Sequence, residues 1–396
     1  MMRVSLRWQL HISTSHRQPK RSLVLLTAMR LYPNICLSPG IYSTVIKSKT
    51  DTMHLFAKNA HRFSDITVIL FMKRSFCLAQ GGYMKGLELS EKFYLEYGAP
   101  MIREQFPALE SVIAVGLTGS GSECFGYDDE LSADHDFEPG FCIFIPDETI
   151  ISRKEEFAIE RAYSRLPKEF MGYKRSPLSP VGGNRHGVIR IEDFLRSKTG
   201  KPDGNLSLSD WLFIPEQSAA EAVNGKLFRD DSGYFSAIRN KLSYMPEDVR
   251  LKKLAGELLV MGQSGQYNYP RCIQRGDSAS AQLCICEFVK ATIHVVFLVN
   301  KVYEPYYKWQ FKALSALPRL SNLSADLEYL ISSENGKDEA ARKTGVVESI
   351  CFSIISELGK LELTDYSGTE AEGHAYSING KIENGDVRNL HILYAV

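Results

Sequence analysis

The sequence lacks an excess of charge of either sign, because 47 Lys/Arg residues balance 47 Asp/Glu residues over 396 positions. Such a balance gives no indication of a nucleic-acid or membrane partner. No apolar run approaches the roughly 18 to 20 residues that cross a bilayer. The eight cysteines include no paired Cys-x-x-Cys spacing, so reduced thiols in a cytoplasmic protein are the expected state.

Acidic residues are scarce in the first 83 positions, which hold twelve Lys/Arg, two Asp and no Glu, against 35 Lys/Arg and 45 Asp/Glu in the remainder. An organelle transit peptide is one explanation of such an N-terminus. A second explanation fits better: residues 1–83 are translated upstream DNA, and the natural protein begins at Met84. The codons for Gln80-Gly81-Gly82 can contain a bacterial ribosome-binding sequence a few nucleotides before the codon for Met84. We therefore expect residues 1–83 to be a non-native or disordered extension.

Hydrophobic periodicity predicts an α/β (α+β) domain over residues 84–215 and an all-α helical bundle over residues 216–396. The predicted elements of the first domain are a helix over 84–106, strands over 112–117, 141–145 and 186–191, and a helix within 147–170. Their order implies a small mixed sheet with helices against it. After Pro215 the strand signal fades, and helical patterns cover most of 234–317 and 324–359.

The stretch from Leu117 to Pro146 carries the strongest chemical signal. A buried strand leads into a Gly119-Ser120 turn, then an acidic loop with Asp134 and Asp136, then a second strand. Carboxylates at i and i+2 of an extended chain share one face and can hold divalent cations. Backbone amides of a Gly-Ser turn suit phosphate oxygens. No Gly-Lys-Ser/Thr follows, so the turn is not a Walker A loop; a solvated acidic turn is the alternative interpretation.

Gly-Ser followed after about a dozen residues by Asp-x-Asp resembles the signature of the polymerase β-like nucleotidyltransferase superfamily, which includes the aminoglycoside nucleotidyltransferases. GSGSECFGYDDELSADHDFEPGF, with GQYNYPRCIQRGD and NKVYEPYYKW downstream, is similar to a bacterial group known mainly as a domain of unknown function with a nucleotidyltransferase fold. The resemblance covers the chain from about Met84 onwards. It departs at His135, where the superfamily usually has an apolar residue.

The resemblance implies that Asp134 and Asp136 hold Mg²⁺, in a site for two metal ions, and that Gly119 and Ser120 contact the triphosphate. Such enzymes usually carry a third carboxylate on a later strand, for which Glu192 is the candidate and Asp193 the alternative. Acidic residues that simply favour a helix start are an equally strong interpretation of this pair.

Further candidates lie in the predicted helical part. Arg275 and Lys308 are candidates for binding the triphosphate, because guanidinium and ammonium groups match phosphate oxygens. Asp277 is a candidate general base for the acceptor hydroxyl. The aromatic and basic segment around Trp309 can stack a base or simply pack at a helix end, and His294 is more typical of a hydrogen-bonded core histidine.

Together these features predict a Mg²⁺-dependent nucleotidyltransferase that moves a nucleoside monophosphate from a nucleoside triphosphate (NTP) to an acceptor hydroxyl. A small molecule is the expected acceptor, because the C-terminal half lacks a basic groove for a nucleic acid. The alternative is a catalytically inactive nucleotide-binding or regulatory module, such as an antitoxin-like partner. The preferred base, the acceptor and the oligomeric state do not follow from the sequence.

Overall fold

A computed structural model describes residues 84–130, 137–175 and 186–396. The predicted extension over residues 1–83 lies outside the described residues, as do Asp134, His135 and Asp136. The described strands are β1 Ala114–Leu117, β2 Cys142–Ile145, β3 Glu169–Phe170, β4 Tyr173–Lys174, β5 Gly187–Arg190 and β6 Lys226–Asp230. The helices up to β6 are α1 Gly86–Phe93, α2 Ala99–Gln105, α3 Arg153–Ser164, α4 Ile191–Thr199, α5 Leu208–Phe213 and α6 Glu216–Val223. Those after β6 are α7 Tyr234–Lys241, α8 Glu247–Met261, α9 Tyr269–Gln274, α10 Ser278–Asn300, α11 Gln310–Leu314, α12 Ser324–Ser332, α13 Lys337–Lys360, α14 Ala371–Gly380 and α15 Gly385–Asn389.

The first helix predicted from the sequence is confirmed as a continuous helical run. One π-helical turn, Tyr94–Gly98, joins α1 to α2. Leu89, Phe93 and Ile102 are fully buried, as their helical spacing requires. The start of α3 also follows from local sequence, because Ser152 and Glu155 form a reciprocal capping box.

The main sheet has the strand order β5-β2-β1-β6. Strand β2 runs antiparallel to β1 and parallel to β5, and β6 runs antiparallel to β1. In this register Gly116 lies opposite Cys142, which lies beside Gly187. The end of β1, the start of β2 and the start of β5 therefore meet at one edge of the sheet. The predicted small mixed sheet is confirmed.

Alternate side chains of the sheet enter two different cores. Val115, Ile143 and Ile145 pack with α1 and α3 on one face. Ala114 and Phe144 on the opposite face belong to a larger core that continues through the helices that follow β6. One contiguous core thus joins the sheet to the helical region, and residues Met84–Val396 form one compact unit.

The predicted absence of strands after residue 215 is corrected by β6. Four of its five residues, all except Phe228, pair with residues of β1, with a register irregularity between Val115 and Gly116. KLFRD is too short and too mixed in character to give a clear period-two signal, so only its pairing with β1 reveals it. Helices predominate elsewhere after residue 215, but a separate bundle domain does not follow from this arrangement.

Helix α10 corrects the expectation about apolar runs. Its 23 residues are long and apolar enough to cross a membrane by length and composition. About 61% of its most apolar 18-residue window is buried within the protein. Neighbouring helices, including α8, cover it, which is the behaviour of a central core helix.

Candidate functional site

The Gly119-Ser120 turn is held by the side chain of Asn224, directly after α6. Asn224 Oδ1 accepts from the Gly119 amide at 2.9 Å, and its Nδ2 donates to the Gly119 carbonyl at 2.7 Å. Thr118 Oγ1 lies 3.0 Å from both Asn224 Oδ1 and the Glu221 carbonyl oxygen. The Gly119 amide is therefore engaged within the protein. Ser120, which is exposed, is the residue of this turn that can face a ligand.

Glycines allow the close approach of β1 and the chain after α6. Gly225 has a φ of +64°, and a Cβ at this position would lie 2.0 Å from the Leu117 carbonyl oxygen. Its amide donates to the Cys124 carbonyl at 2.8 Å. Gly119 has a φ of +128°, which glycine adopts without strain. The backbone of the turn is thus fixed on both sides.

The loop after this turn contacts the aromatic and basic segment 306–312. The Phe125 and Tyr127 rings are stacked, and the Tyr127 and Trp309 ring centroids lie 5.5 Å apart. Lys312 Nζ donates to the Tyr127 carbonyl at 2.8 Å. Lys308 Nζ lies 5.0 Å from the Trp309 ring centroid. The fold therefore brings Trp309 and Lys312 to the loop that begins at Gly119, and Lys308 directly precedes Trp309 in the chain.

Helix α6 connects these two parts of the site. At its C-terminal end Asn224 binds the Gly119 turn. At its N-terminal end Glu216 Oε2 accepts from the Glu304 amide at 3.2 Å. Segment 304–312 then returns to Tyr127. These contacts form a closed ring, which we call the site ring: the turn and loop 118–127, helix α6 with Asn224, and segment 304–312.

The predicted carboxylates Asp134 and Asp136 lie outside the described residues, but the chain on either side of them can be placed. The loop up to Glu130 leaves from the site ring, and β2 begins beside the end of β1. At this edge His186 Nδ1 and Glu138 Oε1 lie 3.1 Å apart. An open cavity of about 340 Å³ lies beside His186, Tyr163 and Arg161. Among the described residues no group of three or more His, Cys, Asp or Glu could hold a metal ion.

Glu192 is placed differently from the expectation. Strand β5 ends at Arg190, so Glu192 and Asp193 lie in the first turn of α4. Arg190 is paired with Ile145 at the end of β2, whereas the Gly119 edge is the start of β2. With about 3.3 Å per strand residue, the two edges lie roughly 10 Å apart. The register therefore places Glu192 toward the opposite sheet edge from Gly119, and both acids lie in the first turn of a helix, where they favour its dipole. A role for Glu192 as a third metal ligand stays a prediction.

Arg275 and Asp277 lie at the other end of α10 from the site ring. Asp277 caps α10, with its carboxylate accepting from the Ser280 amide at 2.9 Å and from the Ser280 hydroxyl at 2.6 Å. These bonds lower the pKa of Asp277. Seventeen residues, about 25 Å of helix, separate it from His294. No described contact joins Arg275 or Asp277 to Lys308.

A buried ionic cluster lies where α6, α8 and α10 meet. His294 Nε2 lies 2.9 Å from Glu216 Oε1, and its Nδ1 lies 2.8 Å from Glu257 Oε1. Lys253 Nζ lies 3.4 Å from Glu216 Oε1. Burial alone would lower the pKa of His294, but the two carboxylates outweigh it and hold the pKa well above its usual range. Burial raises the pKa of the adjacent Glu304 to about 7.

Several residues of this site carry no signal in the sequence. Asn224 follows an ordinary helix, and Glu216, Lys253 and Glu257 read as helical surface residues until their helices are packed. Lys312 lies just beyond the segment that the motif singled out. Their roles depend on contacts between positions far apart in the chain, so no local pattern could have found them.

Comparison with known proteins gives two matches. The family model described as "Domain of unknown function (DUF4037)" matches residues 211–310, about a quarter of the chain. The crystal structure of a nucleotidyltransferase-like protein from Exiguobacterium sibiricum 255-15 is similar at 12% sequence identity with a TM-score of 0.31. That match covers 69% of this chain and 78% of the other. No curated protein matches.

Proposed function

We propose that this chain is a Mg²⁺-dependent nucleotidyltransferase that moves a nucleoside monophosphate from an NTP to a hydroxyl group of a small molecule, with release of pyrophosphate. The observation that supports the proposal is the site ring, which joins the exposed Ser120 turn to segment 304–312, the segment that contains Lys308 and Trp309. A serine hydroxyl and a lysine charge suit phosphoryl transfer, since positioning and charge neutralisation provide most of its catalysis.

The donor chemistry at this edge fits Mg²⁺. Asp134 and Asp136 offer hard carboxylate oxygens, which Mg²⁺ prefers, and the chain that follows them enters β2 beside the Gly119 turn. When bound, the metal would neutralise charge on the phosphates and polarise the acceptor hydroxyl. Glu138 lies at the same edge of the sheet as the Gly119 turn, beside His186, whereas Glu192 lies beyond the opposite edge.

The chain's own residues would bind and orient the triphosphate. Ser120 can donate its hydroxyl and its amide to phosphate oxygens, while Asn224 keeps the turn in place through Gly119. Lys308 supplies a positive charge from the opposite side of the ring, and Trp309 supplies an aromatic face beside Tyr127. A small-molecule acceptor is favoured, because residues 84–396 carry 45 acidic against 35 basic side chains.

The test is pyrophosphate release by the full-length protein with Mg²⁺, each NTP and a panel of hydroxyl-bearing metabolites. Asp134→Ala and Asp136→Ala should abolish turnover and Mg²⁺-dependent NTP binding while the far-ultraviolet circular dichroism is unchanged. Asp203→Ala is the matched control, since Asp203 is an exposed loop aspartate bonded to Asn205. Wild-type affinity and turnover in both site variants would contradict the assignment.

A catalytically inactive nucleotide-binding or regulatory module is the second candidate. The observation that favours it is that Glu192 lies in the first turn of α4, toward the opposite sheet edge from Gly119. Isothermal titration decides between the two. Mg²⁺-dependent NTP binding without release of pyrophosphate for any acceptor would support the inactive module and exclude the enzyme.

A further inference from the structure

The protonation state of His294 follows from its geometry. A neutral imidazole has one donor and one acceptor nitrogen, but both ring nitrogens of His294 face carboxylate oxygens at hydrogen-bond distance. Only the imidazolium form donates from both nitrogens. His294 is therefore a buried cation held between Glu216 on α6 and Glu257 on α8.

Stability alone is a weak reason for such a cluster. Charges buried among helices pay a large desolvation cost, and well-packed apolar side chains often replace a buried ion pair with no loss of stability. What an ionic cluster provides is a defined orientation, because the two oxygens of a carboxylate have different partners. Glu216 illustrates this: its Oε1 faces His294 and Lys253, while its Oε2 accepts from the Glu304 amide.

The contacts of Glu304 extend the cluster to the site ring. Its backbone amide is held by Glu216, and its Oε1 accepts from Gln310 Nε2 at 2.8 Å. These two bonds fix both ends of a stretch of seven residues, 304–310. Lys308 and Trp309 lie within that stretch, between the two fixed points.

We infer that His294 is a positioning residue of the proposed nucleotide site: by orienting Glu216 it fixes segment 304–310 and so places Trp309, together with the preceding Lys308, against the Tyr127 loop. The inference rests on the proposed function for its effect on nucleotide binding. The chain of contacts from His294 through Glu216 and Glu304 to segment 304–310 does not depend on the proposed function, because it is present in the protein without any ligand.

Fluorine NMR of the full-length protein labelled with 5-fluorotryptophan measures the link directly. The chain has three tryptophans, and Trp309→Phe identifies the Trp309 signal. His294→Gln removes the positive charge between the two carboxylates and leaves a single neutral NH2 group as donor, so the Trp309 signal should shift or broaden, and the dissociation constant for Mg·NTP should rise at least tenfold. Glu216→Ala should do the same, whereas Glu216→Gln, which keeps an acceptor for the Glu304 amide, should retain most of both properties.

His374→Gln is the matched control. His374 is more fully buried than His294 and also uses both ring nitrogens, toward Thr364 Oγ1 and the Gly368 carbonyl, but it belongs to α14. This variant should lower the melting temperature without moving the Trp309 signal.

An unchanged Trp309 signal and unchanged NTP affinity in His294→Gln and Glu216→Ala would overturn the inference, as would an equal shift in His374→Gln. If His294→Gln does not fold, the comparison of Glu216→Gln with Glu216→Ala decides the same question. A shifted Trp309 signal in a protein that binds no nucleotide would refute the proposed function and leave the link from His294 to Trp309 intact.

Discussion

At the scale of single residues, Glu304 is the ionisable group with the clearest consequence for pH. Burial raises its pKa from 4.5 to about 7, against the opposing charge of His294. Between these values the folded chain keeps a proton that the unfolded chain has released, so stability falls as the pH rises through this window and stays lower above it. Glutamine at this position does not titrate.

The first prediction follows from this decrease of stability with rising pH. The free energy of unfolding of the wild type, measured relative to Glu304→Gln, should decrease by about 3 kcal/mol between pH 4.5 and pH 8. Urea unfolding at several pH values measures the difference. Glu328→Gln, an exposed site on α12, controls for removal of a charge elsewhere. A constant difference between wild type and Glu304→Gln would show that Glu304 titrates normally.

A second prediction concerns Asp277, which the sequence suggested as a general base. Its carboxylate caps α10, and asparagine is as good a cap as aspartate, whereas alanine costs about 1 kcal/mol. We expect Asp277→Asn to keep both stability and transfer rate, and Asp277→Ala to lose stability alone. A large fall in rate for Asp277→Asn at unchanged NTP affinity would restore the base assignment.

At the scale of elements, α10 separates two residues that the sequence grouped together. Lys308 lies beyond its C-terminal end in the site ring, while Arg275 precedes its N-terminal end. The length of α10 therefore separates Arg275 from Lys308, the two residues predicted to bind the triphosphate.

The corresponding prediction is that Lys308→Met weakens NTP binding about tenfold and binding of the nucleoside monophosphate much less, since in the proposed site Lys308 binds the outer phosphates, which the monophosphate lacks. Arg275→Met should leave both affinities within about twofold, which is within 0.5 kcal/mol. Lys290→Met, at an exposed site of α10, is the control. Isothermal titration gives all three. Equal losses for the triphosphate and the monophosphate in Lys308→Met would indicate a structural role for Lys308.

At the scale of the whole molecule, one core spans the sheet and the helices. Phe144 of β2 is fully buried, and its ring lies 4.6 Å from that of Phe235 on α7 and 5.2 Å from that of Phe194 on α4. The same core includes Phe288 and Val296 of α10. A defect in the sheet should therefore be felt in the helical region.

Phe144→Ala should cost about 3–5 kcal/mol and lower hydrogen-exchange protection in α10 to the same degree as in β1 and β2. Phe352→Ala is the control, because this side chain is 70% exposed and its loss should change stability by less than about 0.5 kcal/mol. Loss of protection confined to the sheet would instead support two independently folding domains, as the sequence first suggested.

The sequence by itself determined the features that depend on neighbouring residues. Periodicity located the helical run α1–α2, strands β1, β2 and β5 and most later helices. Capping residues such as Ser152 also act locally, because the groups involved are within one turn of each other. The Gly119-Ser120 turn was identified in the same way, and the structure confirms its place directly after β1.

Only the tertiary structure decided which residues meet. Strand β6 gains its identity from pairing with β1, and Glu192 is separated from Gly119 by the register of β2 and β5. Asn224 and His294 acquire partners 105 and 37 positions away, respectively. Such contacts depend on how helices and strands pack, and a single sequence records the chemistry of each partner but not the distance between them.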